Sequence, residues 1–274
     1  MTLANKTLFI TGASRGIGRE IALRAAKDGA NIVIAAKSAE PHPKLAGTIH
    51  SVAAEVEAAG GKALALQLDV RDESAVKAAM AQAAEHFGGI DALVNNAGAI
   101  KLVGVEQLEP KRFDLMFQIN TRAVMVCSQA ALPYLKQSAG GHILSLSPPL
   151  NMNSKWFAQH GPYTVTKYGM SMLTLGMSEE FKKYGIAVNA LWPKTMIATA
   201  AIEFELGSRE AFKRSRTPAI MADAAHAILV SQGRSLTGRL LVDEDILREQ
   251  GVSDFEQYRY DPNGGSLVPD LFLD

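Results

Sequence analysis

Leu8-Phe9-Ile10-Thr11-Gly12-Ala13-Ser14-Arg15-Gly16-Ile17-Gly18 decides the fold. Leu8 to Thr11 is an apolar, strand-like run. Three glycines follow it, and the residues after them continue as a helix that ends near Gly29. Glycines at this spacing let the backbone turn tightly and let a pyrophosphate approach the helix start, where unpaired N–H groups and the helix dipole favour negative charge. A glycine cluster alone is turn chemistry. Strand, glycines and helix inside one βαβ unit make a dinucleotide-binding loop, with Gly12, Ser14, Arg15, Gly16, Ile17 and Gly18 as its candidate contacts.

Outward from this loop, short apolar runs alternate with segments of helical period, the signature of a parallel sheet covered by helices. Six further strands are expected at Ile32 to Ala36, Ala63 to Leu68, Ala92 to Asn95, His142 to Ser147, Ile186 to Trp192 and Arg239 to Val242. Most are apolar on successive residues, as strands buried on both faces are. Ile49, Val52, Ala53 and Val56 keep helical spacing, as do Val76, Ala79, Met80, Ala83 and Phe87. Both segments stop at paired glycines, Gly60-Gly61 and Gly88-Gly89. Two longer helices are expected from Pro110 to Gln137 and from Pro162 to Tyr184. The expected fold is α/β: a Rossmann-like, doubly wound, parallel seven-stranded sheet with helices on both faces, in a single domain. Residues 1–242 form its dinucleotide-binding part. Residues 243–274 read as a short helix and an irregular extension, packed on the same domain or on a neighbouring subunit.

Composition narrows the partners. The chain has 274 residues, with 28 Lys plus Arg against 28 Asp plus Glu. A chain of this size buries enough surface to fold without disulfides or structural metal. Its balanced charge gives no field for nucleic acid or anionic membrane. The run Lys213-Arg214-Ser215-Arg216 is expected as a solvated face. Cys127 stands alone and the six histidines have no ligand spacing, so neither a disulfide within the chain nor a metal site is expected. The first residues lack signal-peptide features and no apolar window is long enough to span a bilayer, so the cytoplasm is the expected location.

The end of the second strand selects the dinucleotide. NAD sites usually place a carboxylate there for the ribose hydroxyls, whereas this sequence has Ala35-Ala36-Lys37-Ser38. Lys37 and Arg15, with Lys44 nearby, are cations suited to a 2′-phosphate, so NADP is preferred over NAD. The alternative is that they are surface cations.

Tyr163 and Lys167 lie four apart on an expected helix, so both project from one face. An ammonium within a few ångströms of a phenol lowers its pKa from about 10 by roughly one to three units, which makes it a proton donor and acceptor near neutrality. Beside a nicotinamide, such a phenol completes a hydride-plus-proton transfer to a carbonyl.

With these residues in view, the sequence resembles the short-chain dehydrogenase/reductase family over residues 6 to 242. The Thr11–Gly18 loop, Asp69-Val70, Asn95-Asn96-Ala97-Gly98, Asn120, and Tyr163 with Lys167 match in order. The resemblance implies Asp69 and Val70 near the adenine, and Asn96, Ala97 and Gly98 along the cofactor cleft. It gives Lys167 a hold on the nicotinamide ribose, and Asn120 a relay water beside the lysine. Read alone, Asn120 is a buried polar or helix-bending residue. Two departures stand out. The family serine that bonds the substrate oxygen falls on Pro148. Ser147 is the nearest substitute, although it precedes Tyr163 by an unusually long interval and serves equally as a turn residue. Lys194 follows Pro193 where Gly is common. The stretches KSAEPHPKL (37–45), SPPLN (147–151), YTVTKYGMSM (163–172) and NALWPKT (189–195) resemble one group within the family, whose animal members carry a sterol-carrier-like domain after the reductase.

Segments 148–161 and 194–218 are expected to cover the nicotinamide and contain Met152, Trp156, Phe157, Met196, Phe204, Leu206 and Phe212. They suit a lipophilic aldehyde, ketone or acyl chain, or else pack a lid or a subunit contact. His160 reads as structural. By analogy with the family, a homodimer or homotetramer is expected. Two functions follow: an NADP-dependent oxidoreductase with Asn120, Ser147, Tyr163 and Lys167 as its catalytic set, or a non-catalytic NADP-binding redox sensor.

Overall fold

The structure is a computed structural model that describes residues 1–43, 45–200, 202–203, 209–231 and 235–274. Its strands are β1 (Thr7–Thr11), β2 (Asn31–Ala36), β3 (Lys62–Gln67), β4 (Ala92–Asn95), β5 (His142–Ser145), β6 (Ala187–Trp192) and β7 (Leu240–Val242). They form one seven-stranded sheet in the order β3-β2-β1-β4-β5-β6-β7. Every pairing is parallel. Strand order reverses between β1 and β4, and ligands of such sheets bind in the crevice outside the carboxyl ends of the strands at that switch.

Helices cover both faces. On one, α1 (Gly16–Ala26), α2 (Ile49–Ala58) and α8 (Ala219–Leu229) bury Ile21, Val52, Val56, Ile220 and Ile228 against the sheet. On the other, α3 (Glu73–Phe87), α5 (Ala123–Leu135) and α7 (Gly161–Glu180) bury Val76, Met80, Val124, Cys127, Met170 and Met177. The helices α4 (Pro110–Phe117), α6 (Lys155–Ala158) and α9 (Asp243–Glu249) complete the described set. No described helix is long and apolar enough to cross a membrane.

The structure differs from the sequence reading at informative places. The expected helix from Pro110 to Gln137 is broken by a π-helical turn at Gln118–Arg122. An inserted residue widens such a turn while leaving the apolar period almost intact, so periodicity does not reveal it. Helix α7 begins at Gly161, so Pro162 sits within its first turn rather than opening it, and a 3₁₀ turn at Phe181–Tyr184 replaces its expected last turn. Strand β5 stops at Ser145, because the Ser147 amide bonds the Ser145 carbonyl and Pro148 has no N–H for a ladder. The basic run is not wholly solvated: Lys213 and Arg214 are exposed, but Ser215 and Arg216 are buried. Arg216 pairs with Glu244 at 2.7 Å.

Candidate active site

The glycine loop is held by contacts from the next strand across the switch. Thr11 Oγ1 accepts the amides of Asn96 and Ala97, each at 3.1 Å, while the Asn96 side chain donates to the Thr11 and Gly12 carbonyls. Gly12 has φ 68°, and a Cβ there would stand 2.8 Å from the Ala97 Cα. Only glycine satisfies both the left-handed backbone and that close approach.

The start of α1 suits an anion. Thr48 caps α2 and Asp72 caps α3 with side-chain hydrogen bonds, whereas Arg15 gives α1 no side-chain cap and its first turn holds no acid. Its first amides are left for a ligand. They open onto a cavity of about 930 Å³ lined by Gly12, Ser14, Arg15, Gly16 and Ile17 at one end and by Tyr163 and Lys167 at the other. That volume lies at the upper end of small-molecule and cofactor pockets, so the residues present fit an extended dinucleotide.

At the β2 end of the cavity, Arg15 reaches Ser38 Oγ at 3.2 Å and bonds the Ala46 and Gly47 carbonyls. Lys37 is largely exposed and lies 3.3 Å from Asp69. The Arg71 guanidinium, with Lys37, holds the Asp69 carboxyl far below the usual carboxylate range. Asp69 and Val70 line this end of the cavity. Lys44 lies outside the described residues.

At the other end, α7 presents Tyr163 and Lys167 to the same cavity. The Lys167 ammonium donates to the Leu146 carbonyl and sits 5.0 Å over the Trp192 ring. Burial pushes its pKa down to about 7, and the charge of Asp270 opposes that fall. Asn120 lies in the π turn and is fully buried. Its Oδ1 accepts the Ala99 amide at 2.8 Å, and its Nδ2 donates to the Ala99 carbonyl and to Thr166 Oγ1. Asn96, Ala97 and Gly98 line the cavity floor.

Ser147 is not brought into this group. Its hydroxyl is wholly buried without a hydrogen-bond partner, and the residue does not line the cavity. Pro148 presents its carbonyl to Ser171. At the other departure, the Lys194 amide donates to Asp243 Oδ1 at 2.9 Å and its ammonium bonds Glu244 at 3.2 Å. Burial raises the Asp243 carboxyl to about 6.

The sequence reading expected the C-terminal extension to pack on the domain or a neighbouring subunit but did not place its end in this site. Val268 accepts the Met196 amide, Asp270 donates its amide to Lys194, and Trp192 Nε1 bonds the Leu271 carbonyl at 2.9 Å. Phe272 is 1% exposed and stacks on Tyr163 with centroids 6.2 Å apart. Trp156, His160, Tyr168 and Trp192 surround the same ring. Val268, Pro269, Asp270 and Leu271 line the cavity. Nothing in Asp261-Pro262-Asn263-Gly264-Gly265 announces this return, since the tail lacks periodicity and the bonds that seat it on Trp192, Lys194 and Met196 are long-range.

Of the expected lid residues, Met196 lines the cavity, Trp156 and Phe157 join the aromatic cluster, and Met152 is exposed. Phe212 is buried against Tyr260. Phe204 and Leu206 lie outside the described residues. Among the described residues no group of His, Cys, Asp or Glu side chains is placed to hold a metal.

This fold and cleft define a class, and the comparisons agree: the chain matches the short chain dehydrogenase family over residues 6–205 and belongs to it, a family of NAD(P)-dependent oxidoreductases. It is similar to hydroxysteroid dehydrogenase-like protein 2 of Danio rerio, at 58% identity over 272 residues, covering 99% of this chain and 65% of that protein. The chain thus spans slightly less than two thirds of that relative. A putative dehydrogenase from Xanthomonas campestris shares 54% identity with a TM-score of 0.96, and 100% of each chain is covered. A short chain dehydrogenase from Burkholderia cenocepacia, solved in complex with NADP, shares 31% identity with a TM-score of 0.74 over 88% of this chain and 97% of that one.

Proposed function

We propose that the chain transfers a hydride between the nicotinamide of NADP and a lipophilic carbonyl or alcohol, with Tyr163 as proton donor and acceptor. One observation carries this reading: a single cavity joins the uncapped start of α1 to the Tyr163–Lys167 face of α7. The residues from Gly12 to Ile17 would hold the pyrophosphate, and Lys167 the nicotinamide ribose. When bound, the reduced nicotinamide supplies the hydride, that is, both electrons and one hydrogen. In the reductive direction the Tyr163 O–H bond breaks and its proton passes to the carbonyl oxygen, completing the alcohol. Tyr163 then regains a proton from solvent. A charged Lys167 favours the transient phenolate. In oxidation Tyr163 takes the alcohol proton instead.

The preference for NADP rests on Arg15, Lys37 and Ser38 gathered at the end of β2 without a carboxylate from that strand. Leu102, Trp192, Met196 and Leu271 give the cavity apolar walls suited to a lipophilic substrate, the class that the name of the Danio rerio relative also indicates. Phe117, Met125, Val165 and Met172, exposed on α4, α5 and α7, support a homo-oligomer.

The test is NADPH oxidation against a panel of hydrophobic aldehydes and ketones. Turnover is expected, with kcat falling on the order of 10³-fold in Tyr163→Phe while NADPH still binds. The occluded Ser147 hydroxyl favours the redox-sensor reading, and tight NADPH binding with no turnover across the panel would establish it.

A further inference from the structure

The pyridine end of the cavity lacks the hydroxyl that the resemblance led us to expect. Pro148 has no polar side-chain atom, and Ser147 is sealed from the cavity. Other polar groups at this end are engaged: Asn120 with Ala99 and Thr166, Trp192 with Leu271, and Lys167 with Leu146. Asp270 is placed differently. Its Oδ1 accepts the Leu271 amide at 2.7 Å, which leaves its second oxygen for the cavity that it lines beside Tyr163 and Lys167. Its backbone is clamped on both sides, by its own amide bonded to Lys194 and by the Leu271 carbonyl bonded to Trp192.

We propose that Asp270, delivered by the C-terminal tail, binds the substrate oxygen beside Tyr163 as a hydrogen-bond donor, in the role that Pro148 cannot fill. This rests on the oxidoreductase reading above. To donate to a carbonyl oxygen, the carboxyl must carry its proton, and its surroundings favour that state. Burial is the largest influence; the Leu271 amide pulls the pKa down, Asp243 at the start of α9 pushes it up and Lys167 on α7 pulls it down, and together they leave it raised to about 7. The Lys194 ammonium is turned to Glu244 and Asp245. Asp270 makes and breaks no covalent bond in the step. Its O–H steadies the charge that develops on the oxygen while the proton itself comes from Tyr163.

The reaction used as probe is NADPH-dependent reduction of decanal and of the corresponding methyl ketone. Asp270→Ala is expected to lower kcat/KM on the order of 10²-fold, the usual loss for one donor to a developing oxyanion, with NADPH affinity unchanged. Asp270→Asn keeps an N–H donor and is expected to recover most of that loss. The ratio of Asn-variant to wild-type rate should rise with pH through the neutral range, because the amide still donates where the carboxylate cannot. A merely structural residue would not move that ratio. If Asp270→Ala retains wild-type kcat/KM while Tyr163→Phe abolishes turnover, the role of Asp270 is refuted and the oxidoreductase reading stands. A second readout does not need turnover: carbon-13 NMR titration of aspartate carboxyls in the NADP-bound chain, with Asp270→Asn assigning the resonance. A carboxyl titrating near neutrality supports the proposal. One titrating in the ordinary carboxylate range, about 4, overturns it.

Discussion

The two ends of the cavity are built by opposite strategies. The phosphate end comes from one continuous stretch, β1 through α1 to β2, steadied by Asn96 and Ala97 from the neighbouring strand. The pyridine end combines α7, the π turn around Asn120, the segment after β6, and a tail about a hundred residues beyond Tyr163. Local sequence determines cofactor binding, whereas long-range packing completes the space where the substrate would react. Changes at one end should therefore leave the other largely intact.

The largest effect should come from the tail. Phe272→Ala removes a buried ring that touches Tyr163, Tyr168 and Trp192. A loss of about 3 kcal/mol of stability is expected by denaturant titration. NADPH affinity should change little, and an equal loss at both ends would break the comparison.

Asp243, which anchors Lys194 beside this end, gives the next effect. Its carboxyl is fully buried and raised to about 6 from 3.8. A raised pKa means that the folded chain holds the proton longer, so the stability linked to it is complete below about pH 4 and declines as pH rises through 6. A two-unit shift corresponds to roughly 2–3 kcal/mol. Thermal unfolding across that window should show a decline in the wild type that is absent in Asp243→Asn.

The smallest effect belongs to the phosphate end. Lys37 is largely exposed and already faces Asp69. Lys37→Ala should reduce the preference for NADP over NAD by about tenfold, with KM for the carbonyl unchanged. An unaltered ratio of the two affinities would remove Lys37 from cofactor selection.

What the sequence disclosed follows the same division. The strands, the buried character of all but the edge strands β3 and β7, and the glycine loop were legible because each depends on neighbours within a few residues, and the observed strand ends lie within two residues of those expected. The pairing of Tyr163 with Lys167 on one face followed from helical spacing. The π turn at Asn120 was hidden because it preserves the apolar period. The occlusion of Ser147 was hidden because it depends on where the backbone turns after β5. Asp270 and Phe272 were invisible for a stronger reason: nothing near them in sequence resembles an element, and their placement depends on Lys194, Trp192 and Met196. Arg216 misled for the same reason, since its partner Glu244 belongs to a distant helix.

At the centre of the account is the proposal that the Lys167 ammonium makes the Tyr163 phenol able to exchange its proton. The most direct test is kcat/KM for NADPH-dependent carbonyl reduction in Lys167→Met, with NADPH saturating and its Kd measured alongside. Loss of the ammonium should lower kcat/KM on the order of 10³-fold, with a far smaller rise in the Kd for NADPH. A variant that turns over at the wild-type rate would show that Tyr163 does not depend on Lys167, and the account would fail.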